Sequence, residues 1–156
     1  MKRISKLAIT IGLSLTALST VADSAKSQKH ADNALKMRKA VFSLLGSNMG
    51  PMGAMAKGKI PLNKEVVEKN ALRINQLSLM MADYLKTDTS KFKLKTDALD
   101  KIWSEQDKFA EKIEALTKSS DALYLAAKSG DEKAILMGIK KVGGSCGSCH
   151  DDYKAD

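Results

Sequence analysis

Two thiols and an imidazole fall within five residues near the end of the chain, in the order Cys146-Gly147-Ser148-Cys149-His150. Positions i and i+3 of a helix lie one turn apart on the same face, so both sulfurs can bond to one edge of a single flat ligand. The imidazole of the next residue then projects toward that ligand's centre. This is the chemistry of haem c attachment: each thiol adds across one vinyl group of the porphyrin, and His150 supplies an axial nitrogen to the iron. Glycine and serine between the thiols keep the backbone clear for the ring.

Other chemistries fit these residues less well. A thioredoxin-like pair belongs at the start of a helix that follows a strand, whereas these cysteines stand near the end of a helical pattern. A zinc site needs about four ligands, and the only other histidine is His30. A disulfide accounts for the cysteines but not for the histidine. Only six residues follow His150, so a second axial ligand must come from upstream. Met37, Met49, Met52, Met55, Met80, Met81 and Met137 are available, although methionine at helical spacing is more often core filler than ligand.

The elements that must position this motif begin after a secretory leader. Lys2, Arg3 and Lys6 precede an apolar run from Leu7 to Leu18, which reads as a signal peptide over residues 1–22, with cleavage as late as residue 25. The run falls short of the roughly 20 residues that span a bilayer, so no membrane span is expected after cleavage. Removing the leader's three cations takes the net charge from +8 to +5. That basic balance suits acidic redox partner proteins. Nucleic acid is not an expected partner, because no cationic run is interleaved with stacking aromatics. Residues 23–156 are the length of one domain.

Four helices can be drawn in that domain. The first, over residues 32–57, carries Leu35, Phe42, Leu45, Met49 and Met52 as an apolar stripe, and Gly50-Pro51 is expected to kink or break it. Asn63 caps a second, which ends near Leu85 and shows Val67, Ile74, Leu77 and Met81 on one face. Residues 87–95 lose the pattern and read as an extended connection with no strand to pair with. A third helix starts near Thr96 or Asp97, carries Ile102, Phe109, Ile113, Leu116 and Leu123, and ends at Gly130. Asp131 caps the fourth, whose buried stripe is Ile135, Ile139, Val142, Cys146, Cys149 and Tyr153. The fold expected is all-α, an antiparallel up-down four-helix bundle enclosing one covalently bound haem c.

A C-terminal CxxCH on the last helix of an exported bundle resembles the cytochromes c′, the class II c-type cytochromes. Met37-Arg38-Lys39 resembles the start of that family's first helix. Gly50-Pro51-Met52 and Lys57-Gly58-Lys59-Ile60-Pro61 resemble its first connection, Ile102-Trp103-Ser104 with Phe109 its third helix, and His150-Asp151-Asp152-Tyr153-Lys154 its ending. The second connection departs from the family: Lys86-Thr87-Asp88-Thr89-Ser90 replaces a Phe-Pro-x-Gly-Thr type segment.

The resemblance implies that the residue over the open side of the iron stands four positions after Arg38, at Phe42. A phenyl ring cannot coordinate, so five-coordinate, high-spin iron in an apolar distal pocket is expected, binding small gases such as nitric oxide and carbon monoxide. Periodicity puts Phe42 on the core face with Leu35 and Leu45. The alternative is simple core packing, which leaves Met49 or another sulfur as sixth ligand of a low-spin electron carrier. Arg38 sits on the same stripe one turn before Phe42, and a buried guanidinium requires an anion; the resemblance implies that this anion is a haem propionate, that Lys39 assists at the haem edge and that Lys154 shapes the proximal side. Arg38 could instead snorkel to the surface, and Lys154 could simply favour a helix C-terminus. Periplasmic location, electron transfer and a homodimer complete the expectation. No enzyme activity is expected, since nothing supplies the distal His and Arg pair of a peroxidase.

Overall fold

Local chemistry sets most helix ends. The computed structural model describes residues 23–155, and the expected leader, residues 1–22, lies outside them. Ser27 adopts extended backbone and its side chain accepts from His30 N, starting α1 (Gln28–Ala56). Asn63 accepts from Val66 N at 2.9 Å and starts α2 (Lys64–Leu85). Asp131 accepts from Ala134 N at 3.1 Å and starts α5 (Glu132–Tyr153). Each oxygen satisfies an amide left bare at a helix start. Gly130, at φ 75°, ends α4 (Gln106–Ser129) in a left-handed conformation that side chains resist.

Three expectations are corrected. The first helix starts at Gln28 and passes through Pro51 without a break. The third is two pieces, α3 (Lys101–Ser104) and α4, separated at Glu105 (φ −124°, ψ 42°). Residues 96–100 stay non-helical because their backbone pairs with the end of α5. Leu99 N donates to Tyr153 O at 3.0 Å, Ala155 N donates to Asp97 O at 2.7 Å, and Ala98 bridges Lys154. The connection after α2 also finds a partner: β1 (Asp23–Ser24) pairs in parallel with β2 (Thr87–Asp88). Pairings between distant segments leave no trace in local periodicity.

The long helices α1, α2, α4 and α5 form an antiparallel up-down bundle, closed by contacts between α1 and α5. The Lys64–Glu132 ion pair joins the starts of α2 and α5, so those two run parallel and α1 runs against α5. The core holds Val67, Ile74, Leu123, Ile135, Ile139 and Val142, all almost fully buried. Ser78 and Ser120 are buried among them, their hydroxyls bonded at 2.7 Å to Asn75 O and 2.8 Å to Leu116 O, so neither is left unsatisfied. Met52 and Met55 belong to the same cluster.

One close approach is specific to glycine. A Cβ on Gly138 would lie 2.8 Å from Leu123 Cδ1 and 3.4 Å from Leu123 Cα, and Leu123 has no free space to retreat into. Gly138→Val is therefore expected to destabilise the fold by about 1–3 kcal/mol through overpacking. Thermal or urea unfolding measures it, and an unchanged midpoint would mean that α4 and α5 are not in contact there.

Candidate functional site

The cysteine motif occupies the last turns of α5. Cys146 and Cys149 form no disulfide, are half-buried and pack against the core cluster, while His150 is exposed. Burial pushes both thiols up from the ordinary cysteine range, and the Lys112 ammonium partly offsets this at Cys149. Lys112 reaches across from α4 to donate to Ser148 Oγ at 2.6 Å and to pair with Asp152 Oδ2 at 2.8 Å. It thus ties α5 one residue before Cys149 and three after it. The hydrogen bond from Lys112 holds the Asp152 carboxyl below its usual range. Tyr153 packs edge-on against Phe109 with ring centroids 5.0 Å apart and donates to Glu105 at 3.3 Å. The end of α5 is therefore anchored by α4 and by residues 97–99.

The side of the motif that faces α1 is open by comparison. The buried residues of α1 are Ala31, Arg38, Val41, Asn48, Met52 and Met55; of the expected stripe Met52 is buried, Leu45 and Met49 pack half-buried against the core, and Leu35 is half-buried. Phe42 is 42% exposed, which corrects its placement in the packed core. Neighbouring helix positions differ by about 100°, and the polar residue at 48 disguises the true inward face. Phe42 instead shares a flank with Met49, since residues seven apart nearly superpose around a helix.

That flank faces α5. A Cβ on Gly143 would lie 3.5 Å from Met49 Cε, which fixes the register of the two antiparallel helices. Phe42 lies seven residues before Met49, and His150 lies seven after Gly143. At about 1.5 Å rise per residue in each helix, Phe42 and His150 come to the same level. A Cβ on Gly147 would meet nothing within 4 Å, so space remains beside the motif.

Arg38 closes the same end of the gap. It is 7% exposed, with its guanidinium carbon 5.2 Å from the Trp103 ring centroid. Arg38 Nη2 donates to Thr89 Oγ1 at 2.7 Å. Its Nε is buried with no hydrogen-bond partner among the described residues. Burial draws the guanidinium below its ordinary range, and the nearby Asp88 carboxylate opposes that. A desolvated cation with an orphaned donor is costly, and an anion beside it would remove the cost. Arg38 and Trp103 line an open cavity of ≈ 640 Å³ together with Lys93, Lys95 and Thr96. A carboxylate fits this donor set, as the orphaned Nε shows.

The remaining expected residues are more peripheral. Lys39 is exposed, and its Nζ donates to Lys95 O at 2.8 Å, tying the connection to α1. Lys154 is the exposed cap of α5, with its backbone N donating to His150 O at 3.1 Å. Sequence reasoning misses Lys112 and Thr89, which act across helices, and misses that Trp103 stacks on Arg38. Among the described residues no group of three or more His, Cys, Asp or Glu side chains gathers as a metal site. No described helix is long and apolar enough to cross a membrane.

Residues 33–154 match the protein family described as Cytochrome C′. A cytochrome c′ of Cereibacter sphaeroides is 35% identical over 126 residues, covering 80% of this chain and 84% of that protein. Among solved structures, cytochrome c prime from Shewanella frigidimarina superposes with a TM-score of 0.74 at 36% identity, covering 81% of this chain and 97% of that one. The nitric oxide complex of a cytochrome c prime mutant from Alcaligenes xylosoxidans gives a TM-score of 0.69 at 27% identity, over 81% of this chain and 97% of the other.

Proposed function

The chain belongs to the cytochrome c′ family, and on that premise we propose that it is a periplasmic haem protein with five-coordinate, high-spin iron that binds small gases and can carry an electron. The family binds haem c covalently. When bound, the haem supplies a redox-active iron with a ligand position for gas. The chain's own residues do the rest. Cys146 and Cys149 would hold the ring to α5, and His150 would supply a nitrogen to the iron.

The observation that carries the open site is the level of Phe42 opposite His150, because a phenyl ring has no lone pair to offer a metal. Met49, the sulfur proposed for a low-spin alternative, lies seven residues further along α1, or about 10 Å of helix rise. Met52, Met55 and Met81 are committed to the core. The relative from Alcaligenes xylosoxidans holds nitric oxide, which supports gas binding here. Arg38 offers its orphaned Nε to a propionate, and Lys39 and Lys154 provide positive charge at the haem edge and proximal side. Residues 23–25 support cleavage of the leader after Ala22: they are paired with β2, Ala25 N donating to Asp88 O at 2.8 Å. Leu44, Leu72, Leu79 and Met80, exposed on α1 and α2, support a homodimer through those helices.

The ferrous absorption spectrum of the purified protein tests this reading, with a high-spin, five-coordinate form expected. A low-spin, six-coordinate spectrum would replace the gas-binding proposal with an electron carrier that uses a methionine ligand. Sedimentation of the same sample at twice the monomer mass checks the dimer, and monomer mass removes it.

A further inference from the structure

The connection between α2 and α3 carries Lys91, Lys93 and Lys95 with no acidic residue from Thr89 to Thr96. Phe92 N donates to Thr89 O at 3.0 Å, closing a turn. From there exposure alternates: the three lysines are exposed, and Phe92 and Leu94 are half-buried. A period of two separates the faces of an extended chain, so the apolar face turns onto the bundle and the cations face water. Lys93 and Lys95 stand on the cavity that Arg38 and Trp103 also line. Lys39 brings a fourth ammonium group to the same rim, held on Lys95 O. None of these four lysines forms an ion pair among the described residues.

We propose that this cationic ridge is the docking surface for an acidic electron-transfer protein, held over the Arg38 end of the haem pocket. The inference rests on the reading that haem lies between α1 and α5 with a propionate at Arg38, because that geometry brings the partner closest to the electron's exit. Like charges without counter-charges repel one another, whereas they accelerate encounter with an acidic surface. An extended Lys91 to Lys95 spans only about 13 Å, which is a footprint for a protein patch. Exposed Asp97 and Asp100 lie just beyond the ridge, where they would repel a broad anionic membrane. Phe92 and Leu94 face inward, so the ridge exposes no apolar side chain to enter a bilayer.

The test uses the haem-loaded protein and the double variant Lys93→Glu/Lys95→Glu. Oxidation of the ferrous protein by anionic ferricyanide should slow about tenfold at low ionic strength, and oxidation by the cationic tris(phenanthroline)cobalt(III) complex should speed up by a similar factor. Both effects should vanish at high salt. Calorimetry should show poly-glutamate binding to the wild type and not to the variant. Equal rates with both reagents, or the same change with both, would overturn the proposal. So would wild-type protein that sediments with phosphatidylglycerol vesicles while ignoring poly-glutamate. A normal haem spectrum in both proteins makes such a failure specific to the ridge, and a missing haem spectrum overturns the functional reading together with the ridge.

Discussion

Cys146→Ala/Cys149→Ala is expected to give a protein whose haem is extracted completely by acidified acetone, whereas the wild type retains all of it. The reason is covalent. Two thioethers survive unfolding, while an axial His150 bond and packing between α1 and α5 do not. The effect should be all or none on a denaturing gel stained for haem. Each single variant should keep the stain through its remaining thioether, with a displaced absorption band, which guards against a double variant that fails to fold. Haem that stays with the double variant through denaturation would overturn attachment at these cysteines. The double variant should also unfold at lower temperature. The α1–α5 side of the bundle is its loosest packing, and a tethered ring fills that gap at high effective concentration, whereas an untethered one dissociates.

The attachment motif is legible in the sequence because its chemistry is contiguous. The same holds for the ends of α2, α4 and α5, where Asn63, Gly130 and Asp131 each act on atoms within a few residues. The inward face of α1 is only partly legible. Periodicity places Arg38 and Met52 inside, where they are buried, but Asn48 is buried too, so counting apolar side chains turns part of the stripe by about one residue and puts Phe42 inside. What makes Arg38 tolerable inside is Thr89, 51 positions away, and Trp103 on α3. The split before α4 is hidden for the same reason, since residues 97–99 give their backbone groups to the far end of the chain. Periodicity, which puts Arg38 on the buried stripe, marks it as needing an anion, and the family resemblance names that anion as a propionate. The orphaned Nε of Arg38, which gives that role a physical basis, comes only from the structure.

The exposure of Phe42 strengthens the expectation for Phe42→Ala. A side chain locked into the core would destabilise the bundle on truncation, with a cost of about 3–5 kcal/mol. Phe42 is 42% exposed on the flank facing α5, so its loss should cost the fold far less and act mainly on whatever enters the gap. If the ring crowds the open side of the iron, relief of about 1–3 kcal/mol of steric penalty corresponds to roughly 5–150-fold faster carbon monoxide association. Flash photolysis of the ferrous carbon monoxide complex measures this, and Phe42→Trp should shift the rate in the opposite direction. Stability and rate together separate the two roles of the residue. A large loss of stability with an unchanged association rate would assign Phe42 to packing and leave the distal side of His150 without its proposed guard.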